Sequence, residues 1–276
     1  YITVIEGPAT KVFKQNSIRQ VPYKLNEAIA KCDWIFCSTS WQSDLEKKAL
    51  IKAKEMGKKS ISFLDHWINY RERFVYKGKI NLPDEIWVSD NYARKIIIDE
   101  FPEACIKLVE NPYFENIKYQ INKIKSEKKG TLKKTGENIL FLAENFSQYA
   151  LMKYGSISSI SYTEYDAIEF FLENLHFLSH DIASIKIRPH PSEKKDKYDS
   201  VKKQYPKLNF IDAKDELIED ISTADIVAGC STMGLAIACI AEKQVFSCIP
   251  FPGIKCPIPF KEIKDLRSLI SKNKNH

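Results

Sequence analysis

The sequence predicts an α/β protein made of two doubly wound parallel sheets facing each other across a cleft. Three observations carry this. Short apolar runs alternate with helical patterns along the whole chain, which implies right-handed βαβ crossovers. A polar stretch from Asn116 to Gly136 interrupts the alternation, which then restarts. The chain has 276 residues, 44% hydrophobic and 12% aromatic, enough for two cores.

In the first half, Tyr1 to Ile5 reads as a strand closed by the turn Glu6-Gly7-Pro8, and Asn26 to Lys31 as a short helix. Asp33 to Cys37 reads as a buried strand. Ser43 to Met56 is a helix with Ser43 as N-cap and Gly57 past its end. Ser60 to Leu64, Glu85 to Val88 and Ile106 to Val109 follow as strands, with a helix from Asn91 to Glu100 that stops before Pro102. Residues 1–115 form the first predicted domain.

Residues 116–136 read as a linker or exposed helix. Within it, Lys118 to Lys134 holds seven lysines and one acidic residue. That run explains much of the net charge of +6, and the remainder is nearly balanced. Nucleic acid is therefore not an expected partner. A solvated face is the plain reading of the lysines, and peripheral contact with an anionic membrane the sharper one.

The second predicted domain covers 137–276. Asn138 to Leu142 is a strand, followed by the loop Ala143-Glu144-Asn145. Tyr162 to Leu178 reads as a long helix, Ser184 to Ile187 as a strand, and Lys194 to Gln204 as a helix. Strands at Leu208 to Ile211, Asp225 to Ala228 and Val245 to Ile249 alternate with helices at Leu217 to Thr223 and Thr232 to Glu242. Pro259 to Asn273 is mostly helical.

No stretch approaches the ~20 apolar residues of a membrane span. The seven cysteines include no CxxC pair, and most lie in apolar segments, as buried reduced thiols of a cytoplasmic protein would. The chain opens at Tyr1 rather than methionine, which leaves a targeting segment open.

Ligands of such sheets bind beyond the carboxyl ends of the strands, so the residues there are the candidates. Arg188-Pro189-His190-Pro191 follows a strand. Two prolines hold the imidazole still and remove two amide donors. An arginine beside a fixed histidine suits a phosphate. The competing reading is a surface turn leading into a helix cap at Ser192. Gly229-Cys230-Ser231-Thr232-Met233-Gly234 follows another strand and opens a helix. Small residues there let a ligand approach, the first amides attract an anion, and Ser231 and Thr232 add hydroxyls. A plain N-cap is the alternative. The pattern is neither GxGxxG nor a P-loop. Glu144 joins these as a binding candidate.

In the first half, Asp65 and His66 end a strand and are candidate general bases for an acceptor hydroxyl. Glu6 is a further candidate. A metal centre is not expected: His176 and His180 fall on one face of the predicted helix, but no acid completes HExxH. GxSxG is absent. No cofactor is expected beyond the substrate.

The RPHP after a second-half strand and the later ADIVAGCSTMGLAIA resemble GT-B glycosyltransferases of bacterial envelope polysaccharide synthesis. The patterns are similar to those of sialyltransferases, Kdo transferases and CDP-glycerol glycerophosphotransferases. The resemblance implies two Rossmann-like domains and a nucleotide-sugar donor. It assigns His190 with Pro191, and Ser231 with Thr232, to the nucleotide and its phosphate. It also implies a base in the first half, a glycan or glycolipid acceptor, and a place in the cytoplasm or at the inner membrane's periphery. The second motif reads Ser-Thr where the family has Ser-Ser, and the Asp/Glu-Asp/Glu-Gly acceptor motif of the sialyltransferases is missing. A CDP-alcohol phosphotransferase, a UDP-sugar 2-epimerase of the same fold and a non-catalytic nucleotide-sugar binding protein are the alternatives.

Overall fold

The computed structural model describes residues 1–7, 9–18, 21, 23–40, 43–127, 136–213 and 216–273. The chain divides into two compact units, Tyr1–Asn111 and Pro112–His276.

The first unit contains α1 (Ala9–Gln15), α2 (Leu25–Lys31), β1 (Trp34–Cys37), α3 (Leu45–Glu55), β2 (Lys59–Leu64) and α4 (Tyr70–Phe74). A small antiparallel hairpin of β3 (Val75–Tyr76) and β4 (Lys79–Ile80) follows, then β5 (Glu85–Val88), α5 (Asn91–Glu100) and β6 (Ile106–Leu108). Its main sheet is parallel and grows in one direction, β1-β2-β5-β6. Right-handed crossovers in a sheet that never reverses put successive helices on the same face. Leu64, Ile86 and Val88 on that face are buried. On the other face Trp34 and Phe36 remain 51% and 53% exposed, and Phe36 meets Trp87 edge-on at 5.6 Å.

The strand expected to be buried at Asp33 to Cys37 is therefore a half-exposed edge. Tyr1 to Ile5 is not a strand: among the described residues it joins no ladder. Ser43 does serve the start of α3, its hydroxyl accepting from the Leu45 amide at 3.1 Å. Gly57 ends the helix at φ 61°.

The second unit begins with α6 (Pro112–Glu127), so the described part of the lysine-rich stretch is helical through Glu127, with Ile117 and Ile121 buried. Residues 128–135 of that predicted linker lie outside the described residues. Next come β7 (Glu137–Leu142), α7 (Phe146–Tyr154), α8 (Glu164–Glu173), β8 (Ile182–Arg188), α9 (Asp199–Gln204) and β9 (Phe210–Asp212). The unit closes with α10 (Leu217–Thr223), β10 (Ile226–Gly229), α11 (Met233–Ile240), β11 (Gln244–Ser247), β12 (Ile263–Asp265) and α12 (Leu266–Asn273).

Its six-stranded sheet is parallel throughout, ordered β12-β11-β10-β7-β8-β9. Counted within the unit, this is the Rossmann order, and the direction of winding reverses between β7 and β10. Ile185 and Ile187 of β8 join Phe141, Phe171, Tyr198 and Leu266 in the core on one face. The Phe141 and Phe171 rings meet at a tilt, 4.7 Å between centroids. On the same strand Ser184, Lys186 and Arg188 point to the other face, the side of α10.

The long helix expected at Tyr162 to Leu178 is shorter. A Thr163–Asp166 capping box starts it, Asn174 ends it, and a 3-10 turn at Leu175–Phe177 follows. His176 and His180 therefore share no helical face. The helix expected at Lys194 to Gln204 forms only as α9, and Glu193 and Lys197 ahead of it enter a buried polar network.

Candidate functional site

Three neighbouring strands of the second unit, β10, β7 and β8, deliver three loops to the carboxyl edge of the sheet. The β7 loop is the centre. Glu144 accepts from the Ser231 amide at 2.7 Å and from the Ser231 hydroxyl at 3.1 Å. The next residue, Asn145, donates through Nδ2 to the Ser192 hydroxyl at 2.7 Å. Consecutive residues thus bind one to each sequence-predicted motif, and Glu144 spans the point where the winding reverses. In open α/β sheets that is where ligands bind.

Around His190 the backbone turns tightly. The Glu193 amide donates to the His190 carbonyl at 2.8 Å, with Pro191 at the second position, where its fixed φ suits a turn. The Ser192 amide and hydroxyl lie 3.2 and 2.8 Å from His190 Nδ1. The His190 amide donates to Glu193 Oε2 at 3.0 Å. Glu193, 3% exposed, also accepts from the Tyr198 hydroxyl at 2.9 Å and from Lys197 at 2.6 Å. Lys197 reaches a second acid, Glu164, whose other oxygen accepts from the Ser147 amide and hydroxyl at the start of α7.

Arg188 is engaged as well. Asp220, fully buried, bonds Lys186 and Arg188 at 2.5 Å each. Asp220 thus ties two neighbouring cations of β8 to α10, close to the RPHP loop. Nothing in the residue types of the Leu217 to Thr223 helix marks Asp220 as a buried acid with two such partners.

At the β10 loop, Thr232 is the N-cap of α11, its hydroxyl accepting from the Gly234 amide at 3.3 Å. Gly229 is required by packing: a Cβ there would lie 3.0 Å from the Leu142 carbonyl. The amides at the start of α11 hold an anion already, the Glu144 carboxylate. Burial pushes the Glu144 carboxyl above its ordinary value even though amides of Ser231, Cys230 and Thr232 favour its charged form.

In the first unit, Asp65 and His66 follow β2. Asp65 remains 61% exposed and pairs at 3.0 Å with Arg73, a buried guanidinium that also binds the Thr39 carbonyl at 2.6 Å. His66 Nδ1 accepts from the Trp67 amide at 2.9 Å, and the Trp67 indole donates to Asp90, the N-cap of α5, at 2.9 Å. Burial, then the Arg73 charge, pull His66 below the usual imidazole value, against Asp65. The Trp67 amide needs a lone pair on Nδ1, which places the proton of the neutral ring on Nε2. Glu6 is exposed beside Gly7, at φ 61°.

Among the described residues, no three His, Cys, Asp or Glu side chains form a metal-binding group, and no helix is long and apolar enough to cross a membrane. A cavity of about 190 Å³ is lined by Asn138, Ser184, Lys186, Asp220 and Thr223, not by the carboxyl-edge loops.

No family model and no curated protein matches this sequence. Solved structures do resemble it. A UDP-GlcNAc 2-epimerase from Methanocaldococcus jannaschii aligns with TM-score 0.54 at 10% identity, over 91% of this chain and 72% of its own. HepE (Alr3699) of Anabaena, solved in complex with UDP, gives TM-score 0.52 at 10% identity, over 88% and 71%. MurG of Acinetobacter baumannii gives 0.51 at 10% identity, over 98% and 79%. The fold class is therefore that of the GT-B proteins, a mixed α/β chain with Rossmann-like parallel sheets.

Proposed function

We propose that this chain is a metal-independent glycosyltransferase. It moves a sugar from a nucleotide-sugar donor to a hydroxyl of a glycan or glycolipid in cell-surface polysaccharide or lipopolysaccharide synthesis. The observation that carries the reading is the bridge at Glu144-Asn145, which ties the His190 turn and the Ser231–Thr232 helix start into one cluster at the reversal of the sheet. Support also comes from the fold neighbours, one of which is a UDP-sugar enzyme and another a UDP complex.

In this reading the donor's phosphate meets the His190 ring, with the Arg188 guanidinium at the end of the same strand. At the start of α11 it takes the place of the Glu144 carboxylate or shares the amides with its protonated form. The bond from the sugar's anomeric carbon to the phosphate oxygen breaks, and the leaving charge is stabilised by those donors. The acceptor oxygen bonds to the same carbon, and its proton passes to a base of the first unit. Asp65, His66 and Glu6 are the candidates, and His66 would have to release the Trp67 amide or shift its proton to serve. Anionic lipid is a proposed peripheral contact.

The 2-epimerase reading remains as the second, because an epimerase aligns with 91% of the chain. The test is incubation with CMP-, UDP- and CDP-linked donors, with and without polysaccharide or glycolipid acceptors, followed by chromatography of both nucleotide and sugar. Acceptor-dependent nucleotide release supports the transferase. Interconverted sugar epimers indicate the epimerase, and transfer of a phosphoalcohol the phosphotransferase. Binding without turnover indicates a non-catalytic protein.

A further inference from the structure

His190 is held from two sides by a circuit of hydrogen bonds that closes through the Asn145–Ser147 backbone. Its amide donates to Glu193, Glu193 accepts from Lys197, and Lys197 bonds Glu164. Glu164 takes the Ser147 amide at the start of α7, Asn145 precedes that helix, and Asn145 donates to Ser192. Ser192 returns to His190, this time at ring nitrogen Nδ1.

The last step fixes a proton. A backbone amide only donates, so the Ser192 amide facing Nδ1 requires a lone pair there. The Ser192 hydroxyl oxygen accepts from Asn145 Nδ2, an amide nitrogen that only donates, which leaves the hydroxyl proton free for Nδ1. Both contacts want Nδ1 bare and the proton on Nε2.

We propose that Ser192 is a positioning residue, oriented by Asn145, that locks His190 in the Nε2–H tautomer and so presents one directed donor to a phosphoryl oxygen of the ligand. The assignment of that ligand rests on the nucleotide-sugar reading, but the tautomer does not. Prolines 189 and 191 fix the backbone, the Glu193 side of the circuit fixes where the histidine stands, and the Ser192 side fixes which nitrogen is the donor. Ser192 is exposed, so its removal disturbs no core.

Long-range proton–nitrogen correlation spectra of the full chain separate pyridine-type from pyrrole-type ring nitrogens. The His190 signals are assigned by their loss in His190→Gln. Wild type is expected to show a pyridine-type Nδ1 and a pyrrole-type Nε2. Ser192→Ala should give averaged, mixed-tautomer signals, Ser192→Thr should restore the wild-type pattern, and Asn145→Ala should move partway to the mixture. In titrations with uridine and cytidine mono- and diphosphates, Ser192→Ala should weaken binding about threefold to tenfold, as expected for one lost hydrogen bond, with Ser192→Thr rescuing. A pyrrole-type Nδ1 in wild type overturns the proposal, and so does an unchanged pattern in Ser192→Ala. If wild type binds none of these nucleotides, the functional reading falls, and the spectra still decide the tautomer.

Discussion

Replacing Lys197 with methionine tests the polar network behind the His190 turn. Methionine keeps much of the aliphatic stem and removes the ammonium, which also lies over the Tyr165 and Tyr198 rings at 5.4 and 5.5 Å. Glu164 and Glu193, 1% and 3% exposed, then lose their shared cation. Breaking a buried pair by removing one partner costs about 3–5 kcal/mol. Both acids keep other donors, Ser147 for one and Tyr198 with the His190 amide for the other, so about 3 kcal/mol is expected. In a unit of this size that lowers Tm by roughly 6–12 °C.

The loss has a pH signature. Burial pushes the Glu164 carboxyl up, but Lys197 and the Ser147 donors outweigh it and hold it below the ordinary value. A depressed carboxylate contributes stability that is present above its unfolded value of about 4.3 and disappears as pH falls through the folded one. Burial pulls Lys197 down, but its two carboxylates raise it overall, so its contribution is present below about 10.4 and is lost only as pH rises through its higher folded value. In Lys197→Met the Glu164 value rises instead, and the variant gains stability as pH falls. Urea titrations at roughly pH 4 and 7 should therefore show the gap to wild type narrowing in acid. A loss below about 1 kcal/mol, the range of an exposed ion pair, would refute the reasoning, as would a gap that does not change with pH.

Asp220→Ala should cost about 3–5 kcal/mol by chemical denaturation, because it removes a fully buried carboxylate that Lys186 and Arg188 both bind. Glu144→Gln should be at least as stable as wild type at neutral pH. The raised Glu144 value means its stabilising proton is fully present below about pH 4.3 and lost as pH rises through the folded value, so Tm curves of the two proteins should converge in acid. In native protein, a thiol reagent should label exposed Cys105 first and Cys37, Cys230 and Cys248 last. Burial pushes the Cys37 thiol up to about 12, and Cys230 and Cys248 are raised too, as mass spectrometry of timed samples would report.

Much of the second unit was legible because its signals are local. Ile185 and Ile187 alternate with Lys186 and Arg188, which reads directly as a strand with two different faces. The helix starts at Thr163 and Thr232 carry their own caps. The first unit was less legible where partners decide the outcome. Tyr1 to Ile5 has strand composition, but composition does not supply a neighbour to pair with. Trp34 and Phe36 look like core, and their exposure follows from a sheet that never reverses, a property of topology rather than of those residues. The α4 and α7 helices carry no side-chain cap of their own to mark them, and α7 takes Glu164 from α8.

The candidate site divides the same way. His190 and Ser231 announce themselves through prolines and small residues at strand ends. Asn145, Ser192 and Glu193 connect them through contacts that cross 47 residues or close within two or three, and nothing in the residue types marks those pairs. Glu144 was visible as a candidate, but not that it would fill the amides of α11.

The most direct test of the central claim is calorimetric titration of wild type, His190→Ala and Ser231→Ala with uridine and cytidine mono- and diphosphates. The cluster at the sheet reversal predicts that at least one of these nucleotides binds wild type, and that both substitutions weaken it by tenfold or more, about 1.4 kcal/mol. Binding that is unchanged in both variants, or no binding of any nucleotide to wild type, would contradict it.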